Sequence, residues 1–325
     1  MIKGLALTPP VVGRISIGKL ITQGDKRLPD KDDEFTVTTQ VQTRDGWIPH
    51  PVDQQLRKSP GAKLRSIPVR LLFDDPDLNL RARYTLFDRG TGRPLCVGDG
   101  QTCRRATAGG IKDAACPAPA NCPLGAQGNC KPYGRLHVLI GQDDEVGTFV
   151  FRTTGFNSIR TLATRLRYLH ALSGGLLSAL PLELRLRGKS TTMSHRTPIY
   201  YVDLTIAAGT ATDHAVAAAK QFWEARAVSG FDQKALDEAA RAGLALGEFE
   251  DLEDEGTSVV EEFYPVDLDA PASDDSIRQD AAGVSQGSEC PGKSRPTLSH
   301  KLRRRAAQLL PPSGDSRREP VQATG

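Results

Sequence analysis

Between Cys96 and Cys130 the chain carries five of its six cysteines and no run of alternating apolar residues. A segment of that composition cannot bury enough apolar surface to fold by itself, so something must pin it. The spacing is Cys96-x6-Cys103-x12-Cys116-x5-Cys122-x7-Cys130, and Cys290 stands alone near the C-terminus.

The chemistry of the pin follows from the compartment. No window approaches the roughly 18 to 20 apolar residues of a membrane span, and the opening Met-Ile-Lys-Gly-Leu-Ala is too short for a secretory signal. The expectation is therefore a cytoplasmic protein without a membrane partner, whose cysteines are metal ligands or free thiols rather than bridges. Zinc takes four thiolate or imidazole ligands in a tetrahedron, and its binding supplies folding free energy. Cys103, Cys116, Cys122 and Cys130 are the expected ligands, with Cys96 and His137 as alternates. No interval is the Cys-x2-Cys knuckle of many zinc sites, so free thiols stay open as an alternative. A shell of four cysteines leaves no place for water, so such an ion is structural rather than catalytic.

Around this segment the chain reads as α+β with a mostly antiparallel sheet. Arg14 to Thr22, Glu34 to Gln42, Ser66 to Phe73, Leu80 to Asp88 and Arg93 to Val97 have strand composition, and the last two are joined by a glycine-bearing hairpin loop. Gly134 to Gly141 and Gly147 to Thr153 alternate as a second hairpin across Gln142 to Val146. One packed helix follows, capped at Asn157 or Ser158 and carrying Ile159, Leu162, Leu166 and Leu169 on one stripe. Leu182 to Lys189 and Ile199 to Ile206 are strands again. Residues 1–210 are thus expected to form the core, with the cysteine-rich metal loop inserted at 96–130. Residues 211–247 read as a helical hairpin with Val216, Phe222, Trp223 and Leu236 inward, and 248–325 as an acidic then basic disordered tail in which Val259 to Tyr264 can dock locally.

Charge is unevenly spread. Residues 131–210 carry 10 basic and 5 acidic side chains, residues 211–270 carry 4 and 15, and residues 271–325 carry 9 and 6. On the helix, Arg160 and Arg167 share the stripe opposite the leucines, and in the next strand Arg185, Arg187 and Lys189 share a face with Tyr201 and Asp203 nearby. With Arg152 and Asn157 they form the candidate contact set for an anionic partner, an outward tyrosine beside arginines being a way to stack bases while neutralising phosphate. An Arg-Asp203 pair across the strands is the plain alternative.

Catalytic motifs are missing. Gly188-Lys189-Ser190-Thr191 has Glu183 where a phosphate loop needs its first glycine, and no Gly-x-Ser-x-Gly, His-Glu-x-x-His or Gly-x-Gly-x-x-Gly occurs. Asp74, Asp75 and Asp77 read as a solvated turn.

Cys130-Lys131-Pro132-Tyr133-Gly134-Arg135-Leu136, then Gly147-Thr148-Phe149-Val150-Phe151-Arg152-Thr153-Thr154-Gly155-Phe156-Asn157-Ser158-Ile159 and a leucine-rich strand, resemble a family carried by prophages and integrative conjugative elements, whose members are loosely labelled hydrolase or metal-binding protein. More distantly, the cysteine segment closing in Cys-Lys-Pro before a Phe-x-Phe strand is similar to the recombination directionality factors of large serine integrases. That resemblance implies binding to an integrase and a switch from integration to excision. The combined expectation is a non-catalytic, zinc-stabilised accessory protein of a mobile genetic element that binds DNA or a DNA-bound site-specific recombinase, with a small-molecule substrate disfavoured. The rival readings are a metal-dependent hydrolase using His137 or the aspartate turn, and a protein-interaction module without nucleic acid.

Overall fold

The computed structural model describes residues 9–23, 26–43, 46–59, 61–125, 129–141, 147–190, 198–247, 259–260 and 263–264. The expected loop at Gln142 to Val146, Cys290 and most of the expected tail lie outside them. The architecture is a mixed α/β fold with a large, mostly antiparallel sheet.

Its strands are β1 (Val11–Gln23), β2 (Lys26–Thr43), β3 (Gly46–Pro49), β4 (Ser66–Val69), β5 (Leu80–Phe87) and β6 (Pro94–Gly98) in the first part of the chain. They continue with β7 (Thr102–Thr107), β8 (Gly110–Ala115), β9 (Lys131–Val138), β10 (Thr148–Thr153), β11 (Leu182–Lys189) and β12 (Ile199–Ile206). Nine of them form one sheet in the order β3-β2-β1-β10-β9-β5-β6-β7-β8, and β12-β11-β4 form a second. Every pairing is antiparallel except β1 on β10.

Alternation along the strands gives the core. Ile15, Phe35, Val37, Leu80, Leu136, Val138, Phe149 and Phe151 face inward from the large sheet, and Val69, Leu182, Leu184, Val202 and Leu204 answer from the small one. Helix α4 (Phe156–Leu172) lies in this core and buries Ile159, Leu162, Leu166 and Leu169, the stripe that the leucine spacing predicts. It approaches β9 so closely that a Cβ on Gly134 would stand 2.9 Å from Ile159 Cγ1, which is why glycine sits there.

Three expectations are corrected. The cysteine-rich segment is not a loop: β6, β7 and β8 continue the large sheet, because backbone pairing needs no apolar alternation and β8 is exposed along its whole length. Helix α4 begins at Phe156 behind Gly155, which makes no side-chain cap bond, so Asn157 and Ser158 are inside the first turn instead of capping it. In the helical pair, α5 (Thr212–Val228) turns Ala215 and Ala219 inward while Trp223 is 42% exposed. An alanine stripe allows close approach, and it leaves the bulky indole at its margin. Helix α6 (Gln233–Gly247) packs Leu236, Ala240 and Leu244 on Leu72, Phe73 and Leu78.

Of the three short helices that precede α4, the first two brace the sheet, and neither has a sequence signal strong enough to predict it. In α1 (Pro51–Leu56) the His50 ring accepts from the Val52 amide, and the buried Asp53 accepts from the Val37 amide at 2.9 Å. Arg57 then joins Asp53 at 2.7 Å and Glu34 at 2.6 Å, tying α1 to β2. In α2 (Pro76–Asn79) Asp75 caps the first turn.

Candidate functional site

The antiparallel register places Cys96 opposite Arg105 and Gly98 opposite Cys103, so the two cysteines share one face of β6 and β7. Gly98 leaves the gap into which Cys116 reaches: a Cβ there would be 2.9 Å from Cys116 Sγ and 2.7 Å from Cys103 Cβ. Cys96, Cys103 and Cys116 form a buried cluster against Leu86. Cys122 follows α3 (Ala118–Asn121) and Cys130 immediately precedes β9. All five are free thiols.

Electrostatics shows that they converge. Burial pushes the Cys103 thiol up to about 11, helped by its hydrogen bond with Cys96. Cys130 is pushed up to about 12, first by burial and then by Cys96, Cys116, Cys122 and Cys103. Arg105 stands among the same sulfurs, its guanidinium held further toward the charged form chiefly by a hydrogen bond with Cys96. A sequence reading passes over that arginine, although alternation from Cys103 places it on the thiol face.

The donor chemistry, thiols with an adjacent cation to offset a thiolate shell, fits zinc. Among the described residues, however, no group of three or more histidine, cysteine, aspartate and glutamate side chains is arranged to hold an ion. Cys96 belongs to the thiol group as fully as Cys103 does. His137 does not: it lies seven residues along β9 from Cys130, about 23 Å of strand away, and is buried beside arginines.

The expected basic residues are distributed over three elements. On the small sheet Arg187 stands opposite Tyr201 and Arg185 opposite Asp203. Asp203, nearly buried, accepts from Arg187 Nε at 3.1 Å and from Arg165 Nε at 2.9 Å, and Arg185 pairs with Glu183 on its own strand. Lys189 donates to Asn157 Oδ1 at 2.7 Å and lies 5.7 Å from the Tyr201 ring centre, so the start of α4 and the end of β11 are brought together. Ser158 Oγ accepts from the Val202 amide and pins the same corner. Arg160 is exposed, and Arg167, also exposed, is 3.8 Å from Asp77. Arg160 lies in the second turn of α4, beyond the reach of the free N–H groups at the helix start. Arg152 stands in β10 opposite Arg135.

Two further features complete the surface. Val259, Phe263 and Tyr264 dock on the face of β5, β6 and β9 that points away from the core, beside Phe87, Val97 and Tyr133. The Tyr264 hydroxyl donates to the carbonyls of Asn129 at 2.7 Å and Phe87 at 3.2 Å, and the Arg89 guanidinium lies 4.5 Å over its ring. The aspartate turn is a joint instead of a solvated loop: Asp74 Oδ1 accepts from the Ser178 amide at 2.8 Å, and Asp75 pairs with Arg241 of α6 at 2.7 Å.

The candidate site is thus a sheet scaffold with a thiol-rich extension and arginine-bearing faces. A family model described as Gp3-like, recombination directionality factor-like, matches residues 12–207, and the chain belongs to that family. The match runs from the start of β1 to the end of β12, and it supports an accessory role in recombination. It carries the directionality-factor part of the expected resemblance and is silent on the hydrolase or metal-binding label. No curated protein and no solved structure matches the chain. Among the described residues no helix is long and apolar enough to cross a membrane.

Proposed function

We propose that the chain is a non-catalytic accessory protein of a mobile genetic element that acts on a site-specific recombinase bound to its DNA and biases it toward excision. The observation that carries this reading is the family match across both sheets, α4 and the thiol segment. Zinc held by Cys103, Cys116, Cys122 and Cys130, or with Cys96 in place of one of them, fixes the β6–β8 extension in this reading. The support is the convergence of thiols in a strand hairpin with little core of its own.

The candidate contacts are Arg152, Asn157, Arg160, Arg167, Arg185, Arg187 and Tyr201. Because Asp203 engages Arg187 and Glu183 engages Arg185, part of that charge is already balanced, which favours contact with a protein-DNA complex over naked DNA. The hydrolase reading gains nothing from the aspartate turn, whose carboxylates hold helix ends.

The test is a recombination assay with the large serine integrase of the element that carries the chain. The chain should join the integrase on its product-site DNA in a gel shift and raise excision while depressing integration. Arg160→Ala with Arg185→Ala should weaken the joint complex and flatten its salt dependence. An integrase whose partition between the two reactions is unchanged by a stoichiometric excess of folded protein would refute the proposal.

A further inference from the structure

The outward face of the small sheet carries a built layer of charge. Arg185, Arg187 and Lys189 alternate along β11, with Asp203 and Tyr201 opposite the two arginines on β12. Alternate residues of a strand are about 6.8 Å apart, close to the separation of successive phosphates along a nucleic-acid strand. Two carboxylates lie beneath this row. The side chains of Asp203 and Glu183 are 4% and 6% exposed, whereas those of Arg165, Arg185 and Arg187 are 45%, 37% and 41% exposed.

The carboxylates are filled from within the protein. Asp203 accepts from Arg165 Nε at 2.9 Å, from Arg187 Nε at 3.1 Å and from the Leu204 amide at 3.0 Å. Glu183 accepts from Arg185, from the Thr205 hydroxyl at 3.3 Å and from the Ala208 amide at 3.3 Å.

The cations are filled on one side only. Arg187 uses its Nε and Arg185 one terminal nitrogen, and among the described residues the other N–H groups of these two guanidiniums have no acceptor. The Tyr201 hydroxyl, beside Arg187, makes no hydrogen bond among the described residues. Lys189 meets the neutral amide oxygen of Asn157 at 2.7 Å. Four cations therefore stand over two carboxylates, where pairing for stability alone would need one for each. An Nε anchored on a buried carboxylate also fixes the plane of its guanidinium. A fork held in place before binding gives up little conformational entropy when its terminal nitrogens close on phosphate.

We propose that this face is a phosphodiester seat for one strand of duplex DNA. Arg165, Arg185, Arg187 and Lys189 take successive backbone phosphates, and the Tyr201 hydroxyl donates to the same strand. Arg165 thereby joins the contact set, and Asp203 is the positioning residue that sets Arg165 and Arg187. The seat rests on the proposed reading only in taking the partner to include DNA, and it needs neither zinc nor contact with the recombinase.

The probe is a fluorescent duplex of about 30 base pairs and mixed sequence, titrated with the full chain at low salt and read by anisotropy. Arg187→Lys keeps the charge but loses the fork, and binding should weaken about tenfold. Asp203→Asn separates positioning from bulk charge, because it makes the face more positive. A diffuse basic surface would then bind more tightly, whereas the seat, with two guanidiniums released, should bind about tenfold more weakly. Either folded variant binding as tightly as the native chain overturns the proposal, and so does a native chain that leaves the duplex unbound. Should Asp203→Asn fail to fold, Arg187→Lys decides. Inorganic phosphate at the phosphate concentration of the duplex should leave the complex intact, and displacement by it overturns the strand-length seat. Excision bias in the recombination assay is a separate readout: bias without direct DNA binding refutes the seat alone, and DNA binding without bias refutes the accessory reading alone.

Discussion

Arg165 on α4 donates from Nε to Oδ1 of Asp203 on β12 at 2.9 Å, across 38 positions of sequence. Asp203 takes Arg187 on its other oxygen, so one nearly buried carboxylate on β12 joins α4 to β11 of the small sheet. Asp203→Asn should therefore cost about 2 kcal/mol in urea unfolding, less than a fully buried pair because both arginines are half exposed. Arg167→Ala, whose pairing with Asp77 is exposed on both sides, should change stability by less than about 0.5 kcal/mol. Equal effects would contradict the difference in burial.

If zinc pins the β6–β8 extension, protein purified under reducing conditions should carry one zinc per chain by elemental analysis. Serine at Cys116, Cys122 or Cys130 should remove it, whereas Cys96 and Cys103, which share a face, should divide the loss between them. Chelation should expose the β7–β8 hairpin to protease while the α4 core stays resistant. Full metal content in all five serine variants would leave the thiols without that role.

His137 makes a prediction about acid. Its folded pKa lies well below the ordinary 6.5, so the unfolded chain binds more protons and stability falls as pH drops beneath 6.5, at up to about 1.4 kcal/mol per pH unit from this group. His137→Gln removes that contribution. The native chain should lose stability faster than the variant between pH 6.5 and 4.5, and parallel curves would show that the imidazole is protonated in the fold.

Tyr264→Phe deletes a hydroxyl that meets the Asn129 and Phe87 carbonyls, and about 1 kcal/mol of anchor stability should go with it. Phe263→Ala empties a pocket formed by Phe87 and Tyr133 and should cost about 3 kcal/mol locally. Both are read by protease cleavage near residue 264 under conditions where the sheets remain folded.

Gly134→Ala should destabilise the domain by about 1 to 3 kcal/mol, since its methyl meets Ile159 Cγ1 inside contact distance. Ile159→Ala should relieve part of that loss, and a double-mutant cycle in urea gives the coupling. Strict additivity would place the strain elsewhere.

What could be read in advance divides along physical lines. The strands around Phe35 and Val37, the β9–β10 hairpin and the leucines of α4 announce themselves because one face is apolar and the other is not. The β7–β8 hairpin does not, because Thr102 to Ala115 is held by backbone pairing with little side-chain burial. Composition predicts that Cys103, Cys116, Cys122 and Cys130 belong together, but it does not single out Arg105, which stands among these sulfurs. Arg81 and Arg135 were missed for the opposite reason. A cation alternating with apolar residues is the usual mark of a solvated face, yet both arginines are buried, and Val259, Phe263 and Tyr264, arriving from far along the chain, cover part of that face.

The one parallel contact in the large sheet has a consequence for synthesis. β1 is wedged between β2 and β10, with Val11 beside Thr148, so it cannot take its final place until the chain has been translated past Thr153. Until then the β1–β2–β3 ribbon exists with one bare margin, and that interval is when a nascent copy is most exposed to pairing with its neighbours on a polysome.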